Sequence, residues 1–146
     1  MLCRIFIHIS ADDNRQHISY CKEKNMLQTI TPILRIFDVQ KAKEFYIDWL
    51  EFKLNWEHVF EENFPVYMEV AKDNIKLHLS EHHGDATPGS SIFIACTGIH
   101  EYCKKLQAKN YKFYKPGVEK TFYNSWCMSV TDPFGNRLSF NEYITE

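Results

Sequence analysis

Glycine and proline are scarce in this chain, at five residues each in 146, and that scarcity excludes collagen-like, linker-like and low-complexity architectures. No apolar run approaches the roughly 20 residues of a membrane-spanning helix. Met1 to Ser10 is interrupted by Arg4 and leads into Ala11-Asp12-Asp13-Asn14-Arg15, so it lacks the form of a secretory signal. The five cysteines (Cys3, Cys21, Cys96, Cys103, Cys127) are odd in number and include no C-x-x-C pair, which disfavours a disulfide framework and a zinc knuckle and leads us to expect a reducing, cytoplasmic setting. Basic excess is also missing. A net charge of -2 gives no stripe for phosphates, so neither nucleic acid nor membrane is an expected partner.

What the chain has is ordinary globular substance, 45% hydrophobic and 25% charged, enough for one core. Ala42, Phe45, Tyr46, Trp49 and Leu50 recur at helical spacing, and Asp38 stands where the N-cap belongs, which predicts a helix over 39–50. A second stripe, Ile99, Tyr102, Cys103 and Leu106, predicts another over 99–109, closed by Asn110. Strand-like runs rich in β-branched and aromatic residues precede each helix, Ile30 to Phe37 and Ser91 to Cys96. Three follow each: Lys53 to Phe60, Val66 to Ala71 and Ile75 to Glu81 in the first half, Tyr111 to Lys115, Trp126 to Thr131 and Arg137 to Tyr143 in the second. Asp132-Pro133-Phe134-Gly135-Asn136 is an explicit turn between the last two.

The expected fold class is therefore α+β: two βαβββ modules, 29–88 and 89–146, sharing one domain over 29–146, with a curved mixed sheet whose concave side is a cleft. Residues 1–28 fall outside the repeat as an N-terminal extension, in which Ile5, Ile7 and Ile9 alternate like an extra edge strand.

The stretch from His78 to Ser90 carries three histidines and two acids. A metal site is the first thought, but on a strand His78 and His82 would stand roughly 13 Å apart, and one ion cannot bridge that gap at metal–nitrogen distances of about 2 Å. A solvated turn ending at Pro88-Gly89 accounts for the same residues. Cys96 and Cys103 lie on apolar stripes and read as core. No G-x-S-x-G string or phosphate loop is present.

The paired modules resemble the glyoxalase, bleomycin-resistance and extradiol dioxygenase (vicinal oxygen chelate) superfamily. Three strings are similar to its bleomycin-resistance branch: Ile33-Leu34-Arg35-Ile36-Phe37-Asp38-Val39 with Phe45-Tyr46; Leu77-His78-Leu79-Ser80-Glu81-His82-His83-Gly84-Asp85; and Val130-Thr131-Asp132-Pro133-Phe134-Gly135-Asn136-Arg137-Leu138. The resemblance implies a groove for a glycopeptide antibiotic of the bleomycin class, in a homodimer that exchanges modules or strands. By position it assigns ligand contacts to Trp56, Phe60, Phe64 and His78; where relatives carry Pro-Trp-Gly, this chain has Phe122-Tyr123-Asn124, with Trp126 close behind, so Tyr123 and Trp126 complete the expected set. Metal-using members bind their ion at positions that fall here on Thr31, His78, Ser91 and Ser139, and hydroxyls are poor ligands beside imidazole and carboxylate. The expectation is a binding protein with no catalytic residues, metal or cofactor. The alternatives are a metal-dependent lyase or dioxygenase using His78 with Glu69, Glu142 or His58, and a binding module for an endogenous aromatic metabolite.

Overall fold

The computed structural model describes residues 26–145; the edge strand expected at Ile5 to Ile9 lies outside them. Two modules follow one another. The first runs β1 (Ile33–Arg35), α1 (Val39–Ala42) continuing into a π-helical stretch (Lys43–Trp49), β2 (Lys53–Val59), β3 (Val66–Lys72) and β4 (Ile75–Ser80). The second runs β5 (Ser91–Ala95), α2 (Ile99–Ala108), β6 (Glu119–Lys120), β7 (Ser125–Thr131) and β8 (Arg137–Tyr143).

Hydrogen bonding divides the strands into two four-stranded sheets, ordered β1-β4-β3-β2 and β5-β8-β7-β6. In each, the strand before the helix lies parallel to the last strand of its module and the other neighbours are antiparallel. Alternation sorts the side chains. Leu34, Met68, Val70, Leu77 and Leu79 from the first sheet join Met128, Val130, Leu138 and Phe140 from the second in one core with the helices. Among the described residues no helix covers the opposite face of either sheet, its open face.

Asp38 caps the first helix as expected, its side chain accepting from Lys41 N at 3.0 Å. The expected stripe is buried throughout, Ala42, Phe45, Tyr46, Trp49 and Leu50 all being at most 2% exposed. The winding is wider than α, however, since Leu50 N reaches back to Phe45 O, a π-type bond spanning five residues. Both windings put these five side chains on one side, which is why the stripe could not distinguish them.

One expected strand is absent. Tyr111 to Lys115 forms a turn, and the strand that pairs with β7 is the shorter β6. Two of the three aromatic residues in 111–115 are held against the protein instead, while Phe113 stays exposed: Tyr111 stacks on Trp49 with centroids 4.8 Å apart, and the Tyr114 hydroxyl donates to Ser129 O at 2.9 Å.

Tight tertiary bonds tie the modules. The Tyr46 hydroxyl, fully buried, donates to Asp132 Oδ2 at 2.7 Å, and Asn136 Nδ2 reaches Arg35 O at 2.8 Å. The Asp132 Oδ1 atom meanwhile accepts from Phe134 N and Asn136 N, so the turn expected at 132–136 also clamps the first helix.

Candidate functional site

The open face of the first sheet carries a connected group of polar and aromatic side chains. Its geometry follows from one turn. Asp73-Asn74, with Asp73 at φ 51°, pairs Lys72 with Ile75, and counting outward places His78 opposite Glu69 and Ser80 opposite Tyr67. Next door, the register slips by one between Leu54 and Trp56, setting Trp56 opposite Glu69 and His58 opposite Tyr67. The bulge at Asn55 thus leaves Leu54 opposite core-facing Val70, so Leu54 does not share the face of Trp56 and His58 that unbroken alternation would give it.

On this face His78 is held from both sides. Its Nε2 lies 3.1 Å from Glu69 Oε2 and its Nδ1 2.9 Å from the Tyr67 hydroxyl. Glu69 Oε1 also accepts from Asn55 Nδ2 at 2.7 Å and Lys76 Nζ at 3.2 Å. The Asn55 and His78 hydrogen bonds draw the Glu69 carboxyl down to about 2, with Lys76 assisting, against the opposing effect of burial. Burial and the Asp85 carboxylate raise the Tyr67 phenol above its ordinary value.

Aromatic rings close round the imidazole. Trp56 lies parallel to Tyr67 (8°) with centroids 5.9 Å apart, and both present their rings to His78 at 5.3 Å. Phe60 meets His58 at 4.5 Å and His82 at 5.4 Å, both edge-on. Trp56 remains 42% exposed and Phe60 64%, so the group offers a wet aromatic surface rather than a core.

Of the residues expected to contact ligand, Trp56, Phe60 and His78 come together here. Phe64 is exposed on the β2–β3 connection. Tyr123 belongs to the open face of the second sheet, its hydroxyl donating to Asn141 Oδ1 at 2.9 Å, near a ladder in which Ser129 Oγ meets Ser139 Oγ at 2.9 Å. Trp126 differs: it faces the helix side, packed against the core and edge-on to His100 at 5.0 Å. Tyr67 was not singled out in the sequence, although the Asp73-Asn74 turn and the alternation with buried Met68 and Val70 would have placed it beside His78.

Of the residues weighed as alternative metal ligands, Glu69 meets His78, at 3.1 Å. Among the described residues no three His, Cys, Asp or Glu side chains gather as a metal-binding group. Strand register aligns His78 with Ile33 and Ser139 with Phe93, apolar residues that add no donor in place of Thr31 and Ser91. Glu142 is committed elsewhere: its carboxylate accepts from Gly98 N and Ile99 N, both at 2.9 Å, at the start of α2. His58 pairs with Tyr67 rather than with His78. The His82 turn is self-contained, with Ser80 Oγ donating to Asp85 Oδ2 at 2.6 Å and accepting from His82 N at 3.0 Å.

Comparison with known proteins gives consistent results. A family model described as "Glyoxalase superfamily protein" matches residues 15–146. No curated protein sequence matches the chain. Among solved structures, similar folds include TnmS3, an antibiotic binding protein from Streptomyces sp. CB03234 (TM-score 0.64, 19% identity, covering 82% of this chain and 98% of that one). A bleomycin-binding protein complexed with bleomycin is also similar (0.61, 16%, 81% and 100%). So is a member of the glyoxalase/bleomycin resistance protein/dioxygenase superfamily from Sphaerobacter thermophilus DSM 20745 (0.62, 21%, 80% and 98%). At these identities the likeness is one of fold.

Proposed function

Because the chain belongs to the glyoxalase superfamily, and its open face offers stacking surface with no three metal-type donors gathered among the described residues, we propose that it is a non-catalytic cytoplasmic protein that sequesters a glycopeptide antibiotic of the bleomycin class. The observation that carries this reading is the exposed Trp56–Tyr67 stack beside His78. Planar heteroaromatic rings gain about 1 kcal/mol per ring contact beyond the area they bury, and a cationic tail gains more from ring faces and carboxylates. Sequestration needs stoichiometric binding and no turnover. Antibiotic-binding and bleomycin-binding proteins with this fold lend support.

Ligand contacts are proposed at Trp56, Phe60 and His78, with Phe64 at the rim; Tyr123 lies on the second sheet, and no ring contact or hydrogen bond joins it to the Trp56 group among the described residues. A homodimer that brings the open face of one protomer's first module to the second module of its partner would unite the two aromatic groups. The apolar residues left bare on these faces, Ile33 (37% exposed) and Phe93 (54%) among them, support that arrangement.

The test is a calorimetric titration with metal-free and copper-loaded bleomycin. Saturable binding below the millimolar range is expected, weakened roughly tenfold or more by Trp56→Ala, in keeping with the loss of one aromatic anchor. Absence of saturable binding in that range refutes the proposal.

A further inference from the structure

Tyr67 has one proton, and the hydrogen-bond chain on the open face decides where it goes. Glu69 is an acceptor: besides His78 Nε2, it receives Asn55 Nδ2 and Lys76 Nζ, a set of donors that only an ionised carboxylate suits. The Nε2 atom of His78 must then carry hydrogen. In a neutral imidazole the other nitrogen is an acceptor, so the Tyr67 hydroxyl donates its hydrogen bond to Nδ1 across the 2.9 Å contact. The phenol's only donor is thereby spent inward. The oxygen keeps its lone pairs as acceptors on a side chain that is only partly buried and whose ring lies parallel to that of exposed Trp56, and the Asp85 carboxylate, whose charge acts on the phenol, adds acceptor character from the β4–β5 connection.

We propose that Tyr67 is the specificity-determining residue of the site, presenting its oxygen as a hydrogen-bond acceptor, so that the site selects planar aromatic ligands bearing an N–H or O–H donor at the ring edge. The inference rests on the aromatic-binding reading given above and narrows it. Stacking on Trp56 accepts any flat ring, whereas Tyr67 distinguishes rings of equal shape by the sign of their edge. A ligand with only acceptors there sets two lone pairs against each other and loses water without recompense.

Two measurements on the full chain test this separately. In an NMR titration with indole and benzofuran, which have the same shape but a donor and an acceptor respectively, indole is expected to bind roughly three- to tenfold more tightly, the span of one net hydrogen bond. The preference should vanish in Tyr67→Phe, which keeps the stack. Benzofuran binding as tightly as indole, or a preference that survives Tyr67→Phe, overturns the proposal. The second measurement needs no ligand: nitrogen-detected spectra of the His78 ring at neutral pH should show Nε2 protonated and Nδ1 bare. Should neither probe bind, the aromatic-site reading fails; a protonated Nδ1 overturns the acceptor assignment whether or not the probes bind.

Discussion

Glu51 follows the first helix with its backbone in the left-handed region, φ 64°, and from there its carboxylate meets Lys105 at 2.7 Å, Lys109 at 3.0 Å and Lys72 at 3.4 Å. The Lys105 hydrogen bond leads in drawing its pKa down to about 2, helped by Lys109 and Lys72 and opposed by burial. A carboxyl whose folded pKa lies below its unfolded value of 4.5 contributes stability that is complete above that value and lost as pH falls through about 2. Glu51→Gln is therefore expected to lower stability at pH 7 by on the order of 1 kcal/mol, since the pairs are only partly shielded from water. Urea midpoints of the two proteins should converge between pH 4.5 and pH 2, and a constant gap across that window would refute the assignment. No sequence signal announces this hub, because its lysines come from β3, α2 and the residue that ends α2. Asp38 was legible for the opposite reason, its donor being three residues away.

Local patterning explains how much of each element could be read. The strands whose alternation is clean, β3, β4 and β8, fall within a residue of their expected spans, because one face is buried and a slip would turn the whole set over. Elements whose form depends on distant partners could not be read this way. Tyr111 to Lys115 has strand composition, yet Trp49 and Ser129 recruit Tyr111 and Tyr114, and the bulge in β2 is visible only in its pairing with β3. The start of α2 shows the same dependence. Gly98 supplies no side-chain cap, and Glu142, two residues beyond the core residue Phe140 in β8, satisfies two of the helix's free N–H groups instead. Those bonds hold the Glu142 carboxyl below its ordinary range, as a helix N-terminus does for an anion. Glu142→Ala is expected to cost about 1 kcal/mol and to speed hydrogen exchange selectively in the first turn of α2. Unchanged protection there would show that the cap is idle.

The two modules depend on each other because their inner faces are one surface. Trp49 Nε1 donates to Leu106 O at 3.2 Å, the Tyr102 hydroxyl to Leu50 O at 2.7 Å, and Lys109 Nζ to Asp48 O at 2.6 Å, so the first helix spends its hydrogen-bonding capacity on the second module. Its apolar stripe does likewise, with Phe45 and Trp49 both contacting Tyr111. The repeat legible in the sequence is thus a unit of pattern that lacks a core of its own. The whole chain is expected to unfold in a single cooperative transition, with tryptophan fluorescence and far-ultraviolet dichroism tracing the same urea curve. A fragment of residues 29–88 would expose Phe45, Tyr46 and Trp49, all at most 2% exposed in the whole protein, and is expected to bind hydrophobic dye and melt without a transition. A sharp transition in that fragment would mean that the first sheet and its helix close without the second module. The open-face site would then be able to form on a half-chain, and the Tyr46–Asp132 bond would serve only to join two finished parts.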